Sequence, residues 1–173
     1  MVHVYLLLGA NLGNREQQLY AARLGIQEAI GPITHQSALY ETDSWGTREK
    51  QPDYLNQVVE VETGRSPEEV LKEINRIEAN LGRVREKKWD ARIIDIDILF
   101  YGAQIVDLPH LQIPHPYFQD RNFALVPMHE IAPGLMHPLL EKTVSQLLQS
   151  STDPLSVRFF KSLVINKAKF YLP

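Results

Sequence analysis

Runs of apolar residues and stretches of strict apolar–polar alternation mark the strands of this chain. They predict strands at residues 3–8, 34–41, 54–63 and 93–100, with a further short strand at 104–106. In the strand at 93–100, aliphatic and acidic side chains are expected on opposite faces because successive side chains alternate. The aliphatic face should hold Ile94, Ile96, Ile98 and Phe100, and the acidic face Asp95 and Asp97.

Capping residues and helical spacing mark the helices. A helix capped by Asn14 should use Leu24 among its apolar positions, and Ser66 with Glu69 forms a capping-box pattern at the start of a second helix. The segment 108–137 is expected to be largely irregular, with shorter helices near 123–128 and at 139–149. The order strand, helix, two strands, helix, strand predicts an α+β fold of the ferredoxin-like kind, an antiparallel sheet with helices on one face.

Composition narrows the class of protein. The chain has 173 residues, 44% of them hydrophobic and 23% charged, which is typical of one soluble globular domain. The absence of cysteine excludes disulfides, thiolate metal sites and a cysteine nucleophile. A net charge of −3 disfavours a nucleic-acid interface. No apolar run reaches the ~20 residues of a membrane span, so we expect a cytoplasmic protein.

Two aspartates in the middle of a strand are the sharpest chemical signal. Asp95 and Asp97 should point the same way with Cα atoms about 6.5–7 Å apart, so they could hold Mg²⁺, a cation that prefers oxygen ligands. Aspartate is a poor strand former, so a pair of them requires a reason. The alternative is an ordinary solvated strand face.

A basic segment precedes these aspartates and suggests what the metal would accompany. Residues 83–92 carry five cations against two acids, a composition suited to holding a polyphosphate together with its metal. The alternative is a solubilising surface loop, against which Trp89 counts because tryptophan usually covers something. Common phosphate-binding glycine motifs are absent, and Gly9-Ala10-Asn11-Leu12-Gly13 is interpreted as a tight turn from strand to helix.

An ordered set of motifs resembles one enzyme family. The motifs are Gly9-Ala10-Asn11-Leu12-Gly13, Tyr54-Leu55-Asn56-Gln57, Arg76-Ile77-Glu78, Gly82-Arg83-Val84-Arg85, Trp89, Arg92-Ile93-Ile94-Asp95-Ile96-Asp97-Ile98, Ile113-Pro114-His115 and Arg121-Asn122-Phe123. In order and spacing they resemble the 6-hydroxymethyl-7,8-dihydropterin pyrophosphokinase family over about residues 3–148. The resemblance implies transfer of pyrophosphate from ATP to the hydroxymethyl group of the reduced pterin, in folate biosynthesis, on a ferredoxin-like fold.

The resemblance also implies roles for individual residues. Two Mg²⁺ ions would be held by Asp95 and Asp97, and the catalytic cations would be Arg83 and Arg92. ATP would contact Leu71, Asn75, Glu78, Arg83, Trp89, Arg92, Ile98, His115, Tyr117 and Arg121. The pterin would contact Thr42, Trp45, Tyr54, Asn56 and Phe123, with its ring between Tyr54 and Phe123.

Some positions depart from the family pattern. Asp90 and Ala91 replace the familiar Gly-Pro before Arg92, and His110 stands where some members have arginine. We expect residues 1–150 to form the pyrophosphokinase domain and 151–173 an extension packed on it, with a neighbouring folate-pathway enzyme as a possible partner. Other readings are a Mg²⁺-dependent phosphohydrolase acting on a nucleotide or phosphate ester, and an RNA-binding module of the same fold, for which the aromatic signature is missing.

Overall fold

The computed structural model describes residues 1–43, 52–82 and 93–163. The predictions made for Trp45, Arg83, Trp89 and Arg92 lie outside these ranges. The elements are β1 (Val2–Ala10), α1 (Arg15–Ala29), β2 (Ile33–Gln36), β3 (Leu39–Thr42), β4 (Tyr54–Thr63), α2 (Pro67–Asn80), β5 (Asp95–Tyr101), β6 (Val106–Leu108), β7 (Leu111–Ile113), α3 (Asn122–Ile131), α4 (Val144–Gln149) and β8 (Val157–Lys161). A 3₁₀ turn at Phe118–Asp120 precedes α3.

The described strands form one antiparallel sheet in the order β5-β1-β4-β3-β8, with β2 also paired to β4, and a separate β6–β7 hairpin. The ferredoxin-like prediction is therefore confirmed. The predicted strand at 34–41 is divided into β2 and β3 at Ser37. The Ser37 hydroxyl accepts the backbone N–H of Val58 at 3.0 Å, a bond that interrupts the regular ladder along β4.

The helix starts follow the capping residues. Asn14 Oδ1 accepts the backbone N–H of Gln17, and Ser66 with Glu69 forms the complete predicted capping box. The expectation for Leu24 is wrong, because its side chain is 44% exposed on the outer side of α1. The predicted helix at 139–149 begins only at Val144, because the His137 ring Nδ1 accepts the N–H groups of Leu139 and Leu140 and holds a turn there.

Hydrophobic cores lie on both faces of the sheet. α1 and α2 pack on one face, which we call the helix-side core. α3 and α4 pack on the other, together with Leu7, Val58 and Phe118, and we call this the second core. The expectation of helices on one face only is therefore wrong. The helix predicted near 123–128 is confirmed as the ten-residue α3, but it packs on this second face, and the rest of the segment expected to be irregular also contains the β6–β7 hairpin. Most of β4 is buried on both of its faces for the same reason.

A β-bulge in β5 changes which side chains share a face. Leu6 lies opposite Ile98 and Tyr5 lies opposite Phe100, so Leu99 is one extra residue in the strand. Ile98 therefore points into the helix-side core, while Phe100 packs in the second core. The prediction that Phe100 shares a face with Ile98 is wrong, because simple alternation cannot include the inserted residue.

A buried carboxylate lies on the second-core face at some distance from the acidic end of β5. Glu60 accepts hydrogen bonds from the Tyr5 and Thr34 hydroxyls at 2.8 Å each, and its other contacts are His35 and His3. Burial alone would raise the pKa of Glu60, but these hydrogen bonds and the charge of His3 outweigh burial and lower it. This carboxylate is therefore stabilised in its ionised form.

The C-terminal segment extends the sheet. β8 pairs antiparallel with β3, and Val157 lies opposite Thr42 at the end of that pairing. Within the described ranges, none of the helices has the length and apolarity needed to cross a membrane.

Candidate active site

A row of four residues crosses the sheet on the second-core face. Tyr40 of β3 lies opposite Asn56 of β4, Asn56 lies opposite Gly9 of β1, and Gly9 lies opposite Asp95 of β5. Residues directly opposite one another in antiparallel strands point to the same face. The row therefore places the amide of Asn56 and the carboxylate of Asp95 on one surface, with no side chain between them.

Gly9 makes this open floor possible. A Cβ atom at this position would come within 3.3 Å of Asn56 Oδ1, closer than ordinary van der Waals contact. Neighbouring strands are about 4.7–4.9 Å apart, so the Cα atoms of Asn56 and Asp95 are separated by roughly 10 Å across Gly9. A flat ligand held at Asn56 could therefore extend over Gly9 toward Asp95.

The two aspartates are placed as the sequence predicts. Asp95 and Asp97 lie two residues apart on β5, before the bulge, and both are partly exposed on the second-core face. In the part of the chain that the structure describes, no three histidine, aspartate or glutamate side chains are grouped closely enough to hold a metal ion. Two carboxylates would leave other positions of a Mg²⁺ ion to water and phosphate, the arrangement that this cation favours.

Glu78 supports the strand that carries these aspartates. Its side chain is only 2% exposed, and its Oε1 accepts the backbone N–H of Ile96 at 2.8 Å. Ile96 stands between Asp95 and Asp97, so this bond from α2 fixes the backbone at the acidic pair. The geometry gives Glu78 a supporting position; its expected contact with ATP stays a prediction.

The expected pterin residues meet at one end of β3 and β4. Asn56 Nδ2 donates to Thr42 Oγ1 at 2.9 Å, and both residues are almost completely buried. Tyr54 lies opposite Thr42 in the pairing and is partly exposed. The bond from Asn56 to Thr42 fixes the orientation of the amide, so its carbonyl and remaining N–H present a defined pattern to a ring edge.

The guanidinium of Arg121 contacts two aromatic rings. The Arg121 guanidinium is 5.0 Å from the centre of the Tyr117 ring and 5.6 Å from that of Phe123. Phe123 lies in the first turn of α3 and packs against the second core. Arg121 and Tyr117, which are expected to contact ATP, are therefore neighbours of Phe123, which is expected to contact the pterin.

His115 is held in its neutral form. Its backbone N–H donates to the carbonyl of Leu99, the bulge residue, and its ring Nδ1 accepts the backbone N–H of Tyr117 at 3.2 Å. Burial, followed by the charge of Arg121, lowers the pKa of His115 to about 4, and the charge of Asp95 acts in the opposite direction. Since Nδ1 is an acceptor, the ring proton is on Nε2, which can donate to a phosphate or sugar oxygen.

The remaining residues expected near the adenine lie on or against α2. Leu71 packs against the helix-side core, Ile98 is buried in that core, and Asn75 is exposed on the helix. They lie on the opposite side of the sheet from the second core. Their contacts with the nucleotide stay predictions.

Gly9 is the residue whose position the sequence interpretation missed. The prediction of a turn at Gly9-Ala10-Asn11-Leu12-Gly13 is wrong for its first two members, which belong to β1. The available signal was the apolar run that continues through Leu8 and the small residue Ala10, which is 0% exposed. A glycine within such a run often marks a close approach of another group.

A comparison with known protein families agrees with this geometry. The sequence model described as "7,8-dihydro-6-hydroxymethylpterin-pyrophosphokinase (HPPK)" matches residues 5–133. The chain belongs to the HPPK family. The matched segment begins in β1 and ends just after α3, so it includes every described residue of the candidate site.

Curated HPPK relatives match over most of their length. The 2-amino-4-hydroxy-6-hydroxymethyldihydropteridine pyrophosphokinase of Aquifex aeolicus is 36% identical over 152 residues, which cover 88% of this chain and 94% of the relative. The enzyme of the same name from Haemophilus influenzae is 37% identical over 154 residues, covering 88% of this chain and 95% of the relative. Both are similar in extent to this chain.

Solved HPPK-containing structures share the fold. The crystal structure of an HPPK-DHPS in complex with substrates superimposes with a TM-score of 0.67 at 16% identity, over 86% of this chain and 43% of that one. The Plasmodium falciparum HPPK-DHPS with pteroate gives 0.68 at 18% identity, over 86% of this chain and 42% of that one. The present chain therefore spans less than half of these longer chains, and at such identities the likeness concerns the fold alone.

Proposed function

We propose that this chain is an ATP-dependent diphosphotransferase that moves pyrophosphate from ATP to the hydroxymethyl group of 6-hydroxymethyl-7,8-dihydropterin, in folate biosynthesis. The hydroxymethyl oxygen forms a bond to the β-phosphorus of ATP, the bond from that phosphorus to the α-phosphate oxygen breaks, and AMP leaves. The hydroxyl proton is released. The products are the pterin diphosphate and AMP.

The row from Asn56 through Gly9 to Asp95 is the observation that carries this proposal. A pterin edge at Asn56 and Thr42 leaves the ring over the open floor at Gly9, and a substituent can extend from there toward the aspartates. We infer that Tyr54 and Phe123 stack on the two faces of the ring, as a flat heteroaromatic substrate would favour. Catalysis then consists largely of holding the hydroxymethyl group in line with the phosphate chain.

The aspartates and the cations complete the site. Asp95 and Asp97 would hold Mg²⁺, two ions in our proposal, and bound Mg²⁺ would neutralise charge on the phosphate oxygens. Neutral His115 donates from Nε2 to ATP, and Arg121 adds positive charge beside Tyr117. Arg83 and Arg92, which lie outside the described residues, are proposed to contact the phosphates, with Arg92 acting at the transferring group.

The decisive experiment measures AMP release from ATP and Mg²⁺ with and without the reduced pterin. We expect AMP and pterin diphosphate in equal amounts, and only when the pterin is present. The family match does not favour the phosphohydrolase. ATP hydrolysis at the same rate without pterin would overturn the proposed transfer.

Two further proposals concern cellular context. A neighbouring enzyme of folate biosynthesis is a suitable partner, and the fused HPPK-DHPS chains of the structural relatives support this idea. Co-purification with the folate-pathway enzymes of the same cell would test it. The cytoplasmic location stays a prediction.

A further inference from the structure

The residues after Ser150 contact both walls of the proposed pterin pocket. One wall is the end of β3 and β4, with Thr42 and Tyr54, and the other is the start of α3, with Phe123. The match to the family model ends at residue 133, so the residues after Ser150 lie beyond it. We propose that Asp153 and Arg158 are positioning residues that hold these two walls for pterin binding, an inference that rests on the proposed function.

Arg158 fastens the first wall. Its Nη1 is 2.7 Å from Asp43 Oδ1 and its Nη2 is 3.0 Å from Asp53 Oδ2. Asp43 directly follows Thr42 at the end of β3, and Asp53 directly precedes Tyr54 at the start of β4. One guanidinium therefore connects the ends of the two strands that carry the pterin residues.

Arg158 contacts a group of acidic side chains. Glu41, Asp43 and Asp53 lie around it, with Glu41 Oε2 3.7 Å away. Among the described residues, Arg15 also contacts this group, through Glu41 Oε1 at 2.8 Å. Within the described ranges, loss of Arg158 would leave these three carboxylates with Arg15 as their neighbouring cation. Like charges on neighbouring strands repel, so the strand ends beside Thr42 and Tyr54 should separate.

Pairing of β8 holds Arg158 in position. Arg158 lies opposite Glu41 and Phe159 lies opposite Tyr40 in the β3–β8 ladder. The rings of Tyr40 and Phe159 meet edge to face with centres 6.2 Å apart, and Phe160 lies under the Arg15 guanidinium at 5.8 Å. The strand therefore places its arginine by backbone pairing and by aromatic contacts, which limits the freedom of a long side chain.

Asp153 fastens the second wall. Its Oδ2 accepts the backbone N–H of Asn122 at 2.7 Å, and its backbone carbonyl accepts the Asn122 side-chain amide at 3.1 Å. Asn122 is the first residue of α3, and Arg121 at the cap position supplies no side-chain hydrogen bond to the helix. The Asp153 carboxylate at the N-terminus of α3 accepts a backbone N–H that has no partner within the helix, and its negative charge interacts favourably with the helix dipole. It therefore fixes the turn that carries Phe123.

Kinetics of single variants of the full-length enzyme test the inference. Arg158→Ala should raise the KM for the pterin about three- to fivefold, the effect of losing a partly exposed charge network, with the KM for ATP and kcat within about twofold. Arg158→Lys should recover part of the loss. Lys161→Ala is the matched control, because Lys161 lies on the same strand and pairs with Glu16 at 2.8 Å, away from the pocket.

A second arm and a salt series separate positioning from general stability. Asp153→Ala should also raise the pterin KM selectively, while Asp107→Ala on the β6–β7 hairpin should not. At saturating ATP, added salt should raise the pterin KM of the wild type and have little effect on that of Arg158→Ala, because screening acts on the same ion pairs.

The outcomes distinguish this inference from the proposed function. A wild-type protein that forms no pterin diphosphate would overturn the function and the inference with it. If the wild type is active, an unchanged pterin KM in Arg158→Ala and Asp153→Ala would overturn the inference alone. Equal increases for ATP and pterin, or an equal effect of Lys161→Ala, would do the same.

Discussion

Replacing Gly9 by alanine tests the open floor of the site with a single methyl group. The new Cβ would come within 3.3 Å of Asn56 Oδ1, so the amide must move by a few tenths of an ångström. Its Nδ2 already donates to Thr42 Oγ1 at 2.9 Å, and that bond opposes the movement. The methyl group therefore affects both the orientation of the amide and the space above the floor.

The expected rise in the pterin KM is set by the hydrogen bond between Asn56 and the pterin that the methyl group would weaken. Weakening about one hydrogen bond between Asn56 and the pterin costs about 1–1.4 kcal/mol, which corresponds to a roughly five- to tenfold higher KM for the pterin. The KM for ATP should change little, because Gly9 lies opposite Asn56, which we propose binds the pterin. Gly9→Val should be more severe, since its branched side chain would fill the floor between Asn56 and Asp95.

Steady-state kinetics with each substrate varied in turn would measure this effect, with thermal unfolding as a check on the fold. Gly134→Ala is a suitable control, because a Cβ there meets no atom within 4 Å and the backbone is not in the left-handed region. A Gly9→Ala enzyme with a pterin KM within twofold of the wild type would refute the reasoning. An equal rise in both KM values would refute it as well.

Four other predictions concern the metal site, the core, pH and the basic segment. Asp97→Ala should abolish turnover, because a metal ligand worth several kcal/mol is lost. Circular dichroism and Tm should stay near those of the wild type, because Asp97 is partly exposed. Near-normal activity with Mg²⁺ would contradict the assignment of Asp97 as a metal ligand. Phe100→Ala should lower the free energy of unfolding in urea by about 3–5 kcal/mol, and a loss under 1 kcal/mol would mean that the second core contributes little. Glu60→Gln should be less stable than the wild type at neutral pH, and the difference in the free energy of unfolding should shrink as the pH falls below the ordinary carboxyl pKa of 4.5. The reason is that a carboxyl group whose pKa is lowered by folding stabilises the folded state only while it is ionised, so the stabilisation is lost as the group is protonated. A difference that does not depend on pH would contradict this. Arg92→Ala should reduce kcat more than ATP affinity, while Lys88→Ala should have the smaller effect; a pure ATP-affinity defect in Arg92→Ala would argue against its role.

Local signals in the sequence were sufficient for the helix starts and the main strands. Asn14 and Ser66 act within three residues of themselves, so their caps depend little on the rest of the chain. Asp95 and Asp97 were also found locally, because alternation over two residues places them on one face. The family motifs then supplied the expected pterin and ATP residues.

Long-range pairing explains what the sequence interpretation missed. Whether Gly9 lies opposite Asn56 depends on the register between β1 and β4, which local periodicity does not contain. The extra residue Leu99 changes the face of Phe100 only because β1 pairs on both sides of it. The pairing of β8 with β3 joins residues more than a hundred positions apart. The contact of Asp153 with the start of α3 joins residues that are 31 positions apart, so local periodicity does not contain it either.

The bulge at Leu99 has a consequence for how this gene can tolerate insertions and deletions. Loss of one codon between Asp97 and Phe100 would restore regular alternation and shift the rest of β5 by one position. Either the aspartates would turn toward the helix-side core or Phe100 would leave the second core, so both stability and chemistry depend on the length of this short stretch. We therefore expect in-frame deletions there to be selected against strongly, while single-residue changes of length in the turn of the β6–β7 hairpin should be tolerated.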